Sequence, residues 1–312
     1  MPKSIGAALS LTLALFIAFV ASTTSTVHAT STTSTVHATS TTITVTDDNG
    51  TVVTLPSTPH RLISLAPNVT EIFYALGLGK DVVGDSSYSD YPAAAKKLPV
   101  VINYTTLAQE KLLSLKPDLI VAADIVPQAT IAKLRSLHQI VLVTNPHDIG
   151  GILRDLTIVG KATGASTQAS TLVASLQARI NRVKNAVAKT KGRPTVFYEL
   201  DPTLYTVGPG SFVDSLITLA GGKNIVAGAN PYPQLSKEKL FAANPDDYVL
   251  GDATGGRVTP AAVAARPGFS TLNAVTAHHV YSFDDNLASR PGPRIVDGLE
   301  KLAVLIHPAL FR

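Results

Sequence analysis

Apolar residues at Leu172, Val173, Leu176, Ile180, Val183 and Val187 recur every three or four positions, the spacing of one helix face. The stretch 166–191 that contains them predicts a single long helix. Gly164 precedes it, Ser166 and Thr167 offer N-cap oxygens, and Gly192 with Pro194 ends it. Arg179, Arg182, Lys184, Lys189 and Lys191 fall in its later half, where cations complement the negative end of the helix dipole. At about 1.5 Å per residue the helix would span roughly 35–40 Å, the width of a small domain.

On either side of it, short apolar runs alternate with helical periodicity. Residues 42–55 alternate about Asp48-Asn49-Gly50, which predicts a hairpin whose turn suits positive φ. Strands are expected at 61–66, 81–85, 118–123 and 139–143. Helices are expected from Pro67 and at 106–115, 127–137 and 148–162. Beyond the long helix come strands 194–200, 223–226, 246–251 and 279–283, with helices 210–220, 236–243, 259–265 and 291–306. Such alternation predicts an α/β fold with parallel sheets, one per lobe.

Two patterns occur once before and once after the long helix. Glu110-Lys111-Leu112 leads through a short amphipathic helix to Pro117-Asp118 and a buried strand, and Glu238-Lys239-Leu240 leads likewise to Pro245-Asp246. Glu71 to Val83 and Asp214 to Val226 each read as a helix ending at glycine, then an apolar strand. Both pairs keep their order without gaps, so the chain reads as two similar Rossmann-like lobes joined by one helix. The expected organisation is an N-terminal segment 1–41, a lobe 42–163, a connecting helix 164–192 and a lobe 193–312.

Composition narrows the functional classes. A length of 312 residues holds two ordinary cores. The net charge of +4 with 15% charged residues, and no basic run, argues against nucleic acid as a partner. Without cysteine there is no disulfide, thiolate nucleophile or Cys-ligated metal. Lys3 and the uncharged run 5–21 read as a secretory signal, with Val27-His28-Ala29 a candidate cleavage site, or as an uncleaved anchor. Residues 24–41 write TSTVHATST twice, a Ser/Thr-rich tether. The protein is therefore expected outside the cytoplasm, periplasmic or at the cell surface. No nucleophile elbow, phosphate loop or dinucleotide fingerprint is present, and the histidines are dispersed, so neither an enzyme nor a metal site is expected.

The hairpin followed by Arg61-Leu62-Ile63-Ser64-Leu65-Ala66-Pro67-Asn68-Val69-Thr70-Glu71-Ile72 resembles the opening of the binding proteins that serve ABC importers of cobalamin, ferric siderophores and haem. Leu115-Lys116-Pro117-Asp118-Leu119-Ile120 and Ser289-Arg290-Pro291-Gly292-Pro293-Arg294-Ile295 resemble further motifs of that family. The resemblance covers nearly all of 43–307. Ser87-Tyr88-Ser89-Asp90-Tyr91-Pro92 and Tyr232-Pro233-Gln234-Leu235-Ser236-Lys237-Glu238 look most like its cobalamin binders. It implies two lobes joined by a helical backbone, a ligand held between them, and delivery to a membrane permease driven by a cytoplasmic ATPase. No resident cofactor is implied. The bound ligand would be a corrinoid or an iron chelate.

In open α/β sheets ligands bind beyond the carboxyl ends of the strands, and tyrosines suit a large flat ligand. Tyr88, Tyr104, Tyr205 and Tyr232 sit in such loops. By resemblance Tyr88, Tyr104 and Tyr232 match aromatic positions of cobalamin binders, Tyr205 lies in a loop that differs, and Asn286 and Arg290 match polar contacts near the corrin. The chain departs from that pattern in having no tryptophan, in Ala123 where a large aromatic is expected, and in Asn286 where an acid is expected. Arg290 and Arg294, four residues apart, could grip carboxylates, which keeps anionic siderophores and haem open. Glu110 and Glu238 compensate helix dipoles on the plainer reading. The resemblance implies that they dock the permease, one on each lobe. A surface-tethered recognition module without transport is the alternative of a different class.

Overall fold

The computed structural model describes residues 42–256 and 258–311. The expected signal or anchor and the repeated tether, 1–41, lie outside the described residues. Strands β1 (Ile43–Thr46) and β2 (Val52–Leu55) form the antiparallel hairpin, closed through Gly50 at φ +75°. The first half continues with β3 (Leu62–Ser64), α1 (Pro67–Ala75), β4 (Val82–Ser86), β5 (Val100–Asn103), β6 (Thr106–Leu107), α2 (Gln109–Ser114), β7 (Leu119–Ala123), α3 (Gln128–Ser136), β8 (Val141–Thr144) and α4 (Ile149–Ala162). Helix α5 (Ser166–Val187) follows. The second half holds β9 (Thr195–Glu199), α6 (Phe212–Leu219), β10 (Lys223–Asn224), α7 (Lys237–Ala243), β11 (Asp247–Leu250), α8 (Pro260–Ala264), α9 (Asn273–Thr276), β12 (Val280–Ser282), α10 (Asn286–Ser289) and α11 (Ile295–Ile306).

The first sheet has the order β6-β5-β4-β3-β7-β8 and the second β10-β9-β11-β12. The second is parallel throughout, as expected. The first is not: Thr106 and Leu107, expected within a helix, pair antiparallel with Asn103 and Ile102 of β5. Tyr104 at φ +53° makes the tight turn between them, and two residues per strand are too few to show a hydrophobic period. Helix α2 consequently begins only at Gln109.

Helix α5 buries Ala169, Leu176, Ile180 and Val183, while Leu172, Val173 and Val187 are partly buried against the same core. It packs against α4 of the first half and α11 of the second. Gly160 permits the first contact, since a Cβ there would stand 2.4 Å from that of Ala169. Arg179 secures the second by hydrogen-bonding Asp297 and Glu300 of α11. The helix is shorter than expected at 22 residues. Its N-cap is Ala165, with no side-chain cap, and it ends at Val187, leaving Lys189 and Lys191 beyond it.

The internal repeat is visible as geometry. Gly77 and Gly221, which end the paired helices, have φ of +78° and +86°. Lys116 and Asn244, each before Pro-Asp, are both left-handed at φ +46° and +41°. Asp118 then accepts from the backbone N–H groups of His60 and Arg61, and Asp246 accepts from Thr195 N–H, each tying down the chain ahead of a central strand.

Asp155 of α4 is fully buried, and neither carboxyl oxygen has a hydrogen-bond partner. Burial, and next the neighbouring Asp48, push its carboxyl up to about 9. A folded-state value above the unfolded one makes stability fall as pH rises from the ordinary carboxylate range towards 9. Asp155→Asn should therefore raise stability at pH 8 by about 1 kcal/mol or more and flatten its dependence on pH. Urea unfolding midpoints between pH 5 and 8 check this; a variant as pH-sensitive as the parent would contradict it. No helix among the described residues is long and apolar enough to cross a membrane.

Candidate functional site

The parallel strands of the first sheet place the residues after β3, β7 and β8 along one edge, namely Ala66 to Asn68, Asp124 with Ile125, and Pro146 with His147. In the second half the segments after β9 and β12 contribute Leu200, Asp285 and Ala288 to Pro291. All of these line one cavity of about 550 Å³, joined by Phe212 at the start of α6 and by Tyr232. Both halves thus contribute the carboxyl ends of their strands to a shared cleft, where open α/β sheets bind ligands. A smaller recess of about 200 Å³ shares Leu200 and Asp285 with it and is walled by Gly251, Asp252, Thr254 and Asn286.

The expected ligand residues fall into four positions. Tyr232 and Arg290 line the cleft, and Tyr232 is exposed, its ring free to receive a ligand face. Tyr88 and Tyr104 lie outside that lining, in the segments after β4 and β5 on the same edge of the first sheet. Both are exposed and meet edge to face at 6.5 Å, and Ser87 ties their segments by donating to Asn103 at 2.9 Å. Tyr205 is also exposed and forms a bridge with Gln234, which places it beside the Tyr232 segment without reaching the cavity. Asn286 faces the recess and donates to Asp284 at 2.9 Å. Ala123 is buried and lines the cleft without projecting a ring into it. Asp124, Ile125, His147 and Phe212 also line the cavity, and the sequence reading did not select them. Asp124, Ile125 and His147 lie within three residues of the end of β7 or β8, the position where open α/β sheets place ligand contacts.

The arginines are already engaged. Arg294 donates from Nε and Nη2 to the two carboxylate oxygens of Glu71, which is buried in α1, and stacks over the Tyr91 ring at 4.1 Å. Arg290 donates to Asp90 and lies 3.6 Å from Glu71. Burial acts to raise the Asp90 carboxyl, but hydrogen bonding and the charge of Arg290 bring it below its ordinary value. Arg294 therefore pairs across the two halves of the chain. Deeper in the second half Tyr198 donates to Asp285 at 3.1 Å, and burial, then that carboxylate, raise the phenol well above its ordinary value. Burial, then Glu199, push Asp252 up to about 6. No group of three or more metal-ligating side chains occurs among the described residues.

Glu110 and Glu238 are both exposed in the first turns of α2 and α7. Ser236 caps α7, accepting from Lys239 N–H, and backbone and Ser236 hydrogen bonds hold the Glu238 carboxyl below its usual value. Helix α2 has no such cap. Both acids stand in first helical turns, where the positive end of a helix dipole favours negative charge.

The sequence profile of the periplasmic binding protein family matches residues 62–287. A curated relative, an uncharacterized ABC transporter substrate-binding lipoprotein of Bacillus subtilis, is 33% identical over 275 residues, covering 85% of this chain and 86% of its own. The crystal structure of the periplasmic vitamin B12 binding protein of Vibrio cholerae superposes with a TM-score of 0.70 at 30% identity, covering 82% of this chain and 99% of that one. A periplasmic heme-binding protein of Roseiflexus sp. RS-1 superposes with a TM-score of 0.71 at 27% identity, covering 80% and 99%.

Proposed function

We propose, from the premise that this chain belongs to the periplasmic binding protein family of ABC importers, that it captures cobalamin or a related corrinoid in the cleft and delivers it to a permease. Proteins of this family bind and hand over cargo; they are not enzymes. The observation that carries the reading is the cleft itself. It is built from the strand ends of both halves, it is lined by Tyr232, and the exposed Tyr88–Tyr104 pair stands on the same sheet edge. Tyrosine faces supply flat apolar area at small entropic cost, and their hydroxyls meet polar groups at the ligand's periphery. The vitamin B12 binding protein among the similar structures supports a corrinoid, and the heme-binding one supports haem as the second reading. Export, by cleaved signal or retained anchor, belongs to the same proposal, as do the permease and its ATPase.

Calorimetric titration with cyanocobalamin is the direct test. A one-to-one signal at micromolar affinity or tighter, below about −8 kcal/mol, is expected. Silence with cyanocobalamin but binding of haem or a ferric siderophore would keep the family and replace the cargo. Tyr232→Ala should weaken the cyanocobalamin signal by about tenfold, the loss of one aromatic contact of roughly 1–1.5 kcal/mol. An unchanged affinity would remove Tyr232 from the site.

A further inference from the structure

Arg290 is the one lysine or arginine among the described residues that line the cleft and its recess. An anion-binding site would leave its guanidinium open to the ligand. Here it is met by Asp90 and Glu71, and the neighbouring Arg294 is held by both oxygens of Glu71. Two cations face two carboxylates, so this cluster presents no net charge to the cavity. Among the described residues the other charged groups of the lining are acids: Asp124 and Asp285 in the cleft, Asp252 in the recess. Asp285 receives one hydrogen bond from Tyr198, while both Asp252 oxygens are sealed from solvent without a partner. Carboxylates beside a cavity with partly apolar walls raise its negative potential, and like charges brought against it are repelled.

Resting on the corrinoid reading, we propose that the cleft selects by charge: it takes macrocycles whose rim donates hydrogen bonds and carries no carboxylate, and it discriminates against the carboxylate-bearing form of the same ring. The Arg290 pairing with Asp90 and Glu71 is the device. By occupying the guanidinium it converts a ready anion clamp into a neutral wall. Amide N–H groups on the ligand then meet Asp124 and Asp285 as acceptors.

The test uses matched pairs on the full-length protein by calorimetry, so that ring type and charge vary separately. Dicyanocobinamide is compared with dicyanocobyrinic acid, which carries carboxylates in place of the peripheral amides, and the dimethyl ester of hemin is compared with hemin. Within the ring class that binds, the carboxylate-free member is expected to be tighter by about tenfold or more. Asp90→Asn, at a side chain half exposed to solvent, should free part of Arg290. It should improve the carboxylate member about threefold or more while leaving the carboxylate-free member within about twofold. Preference for the esterified porphyrin with no corrinoid binding would discard the corrinoid reading and support the charge rule. Corrinoid binding with the acid equal to or tighter than the amide would keep that reading and overturn the charge rule. Binding by neither ring class would overturn both.

Discussion

Replacing Glu110 and Glu238 together by arginine is expected to abolish uptake of the ligand while leaving its capture by the isolated protein unchanged. The two side chains occupy equivalent turns of α2 and α7, one in each half of an internally repeated chain. Neither enters an ion pair among the described residues, so both carboxylates are available to a partner. Removing one member of a charge pair at a docked interface costs about 2–5 kcal/mol, and reversing its sign adds repulsion. Two such reversals should lower transport by more than about a hundredfold. The competing account, dipole compensation, confines the effect to about 1 kcal/mol of folding stability at each site. Glu110→Gln with Glu238→Gln separates the two, because it removes charge without adding repulsion. Uptake by cells expressing the double-arginine variant at parental levels would end the docking assignment.

The second large effect is on stability. Glu199 at the end of β9 is completely buried, and Arg266 donates to both of its oxygens while Tyr248 donates a further hydrogen bond. Burial first, and then Glu199, push the Tyr248 phenol far above its ordinary value. Arg266→Met would leave the Glu199 carboxylate in the core with the tyrosine hydroxyl as its remaining partner among these. A buried pair broken on one side costs about 3–5 kcal/mol, because the surviving charge has lost both water and counter-ion. Chemical denaturation should show a loss near 3 kcal/mol, and Arg266→Met with Glu199→Gln should recover part of it, since the amide carries no charge to strand. A double variant no better than the single one would mean that Arg266 acts through packing alone.

Much of this protein is legible in its sequence. The long amphipathic period predicted α5, and Leu176, Ile180 and Val183 are buried as that period requires. The Gly and Pro-Asp punctuation of the two repeats predicted turns that recur in geometry as well as in spelling, because a left-handed φ and a strand-capping carboxylate depend on a few adjacent residues. The alternation of strands and helices predicted a fold whose ligand cleft lies at the strand ends, and Tyr232 and Arg290 are found there. These are local or periodic properties, written into the chain at short range.

What required the tertiary structure is of another kind. The antiparallel pair β5–β6 depends on two-residue strands meeting across a turn, too short for any period to announce. The partners of Arg290 and Arg294 lie about two hundred positions away, at Asp90 and Glu71, and pairing at that distance leaves no mark on spacing. Read alone, two arginines four residues apart suggest an anion clamp, whereas the fold brings buried Glu71 against both and neutralises them. Sequence by itself determined most of the elements and their order, and it pointed to the strand ends as the edge where α/β sheets take ligands. The tertiary structure alone decided which charges remain facing the cleft, because an electrostatic surface is a sum over neighbours in space and the chain records only neighbours in order.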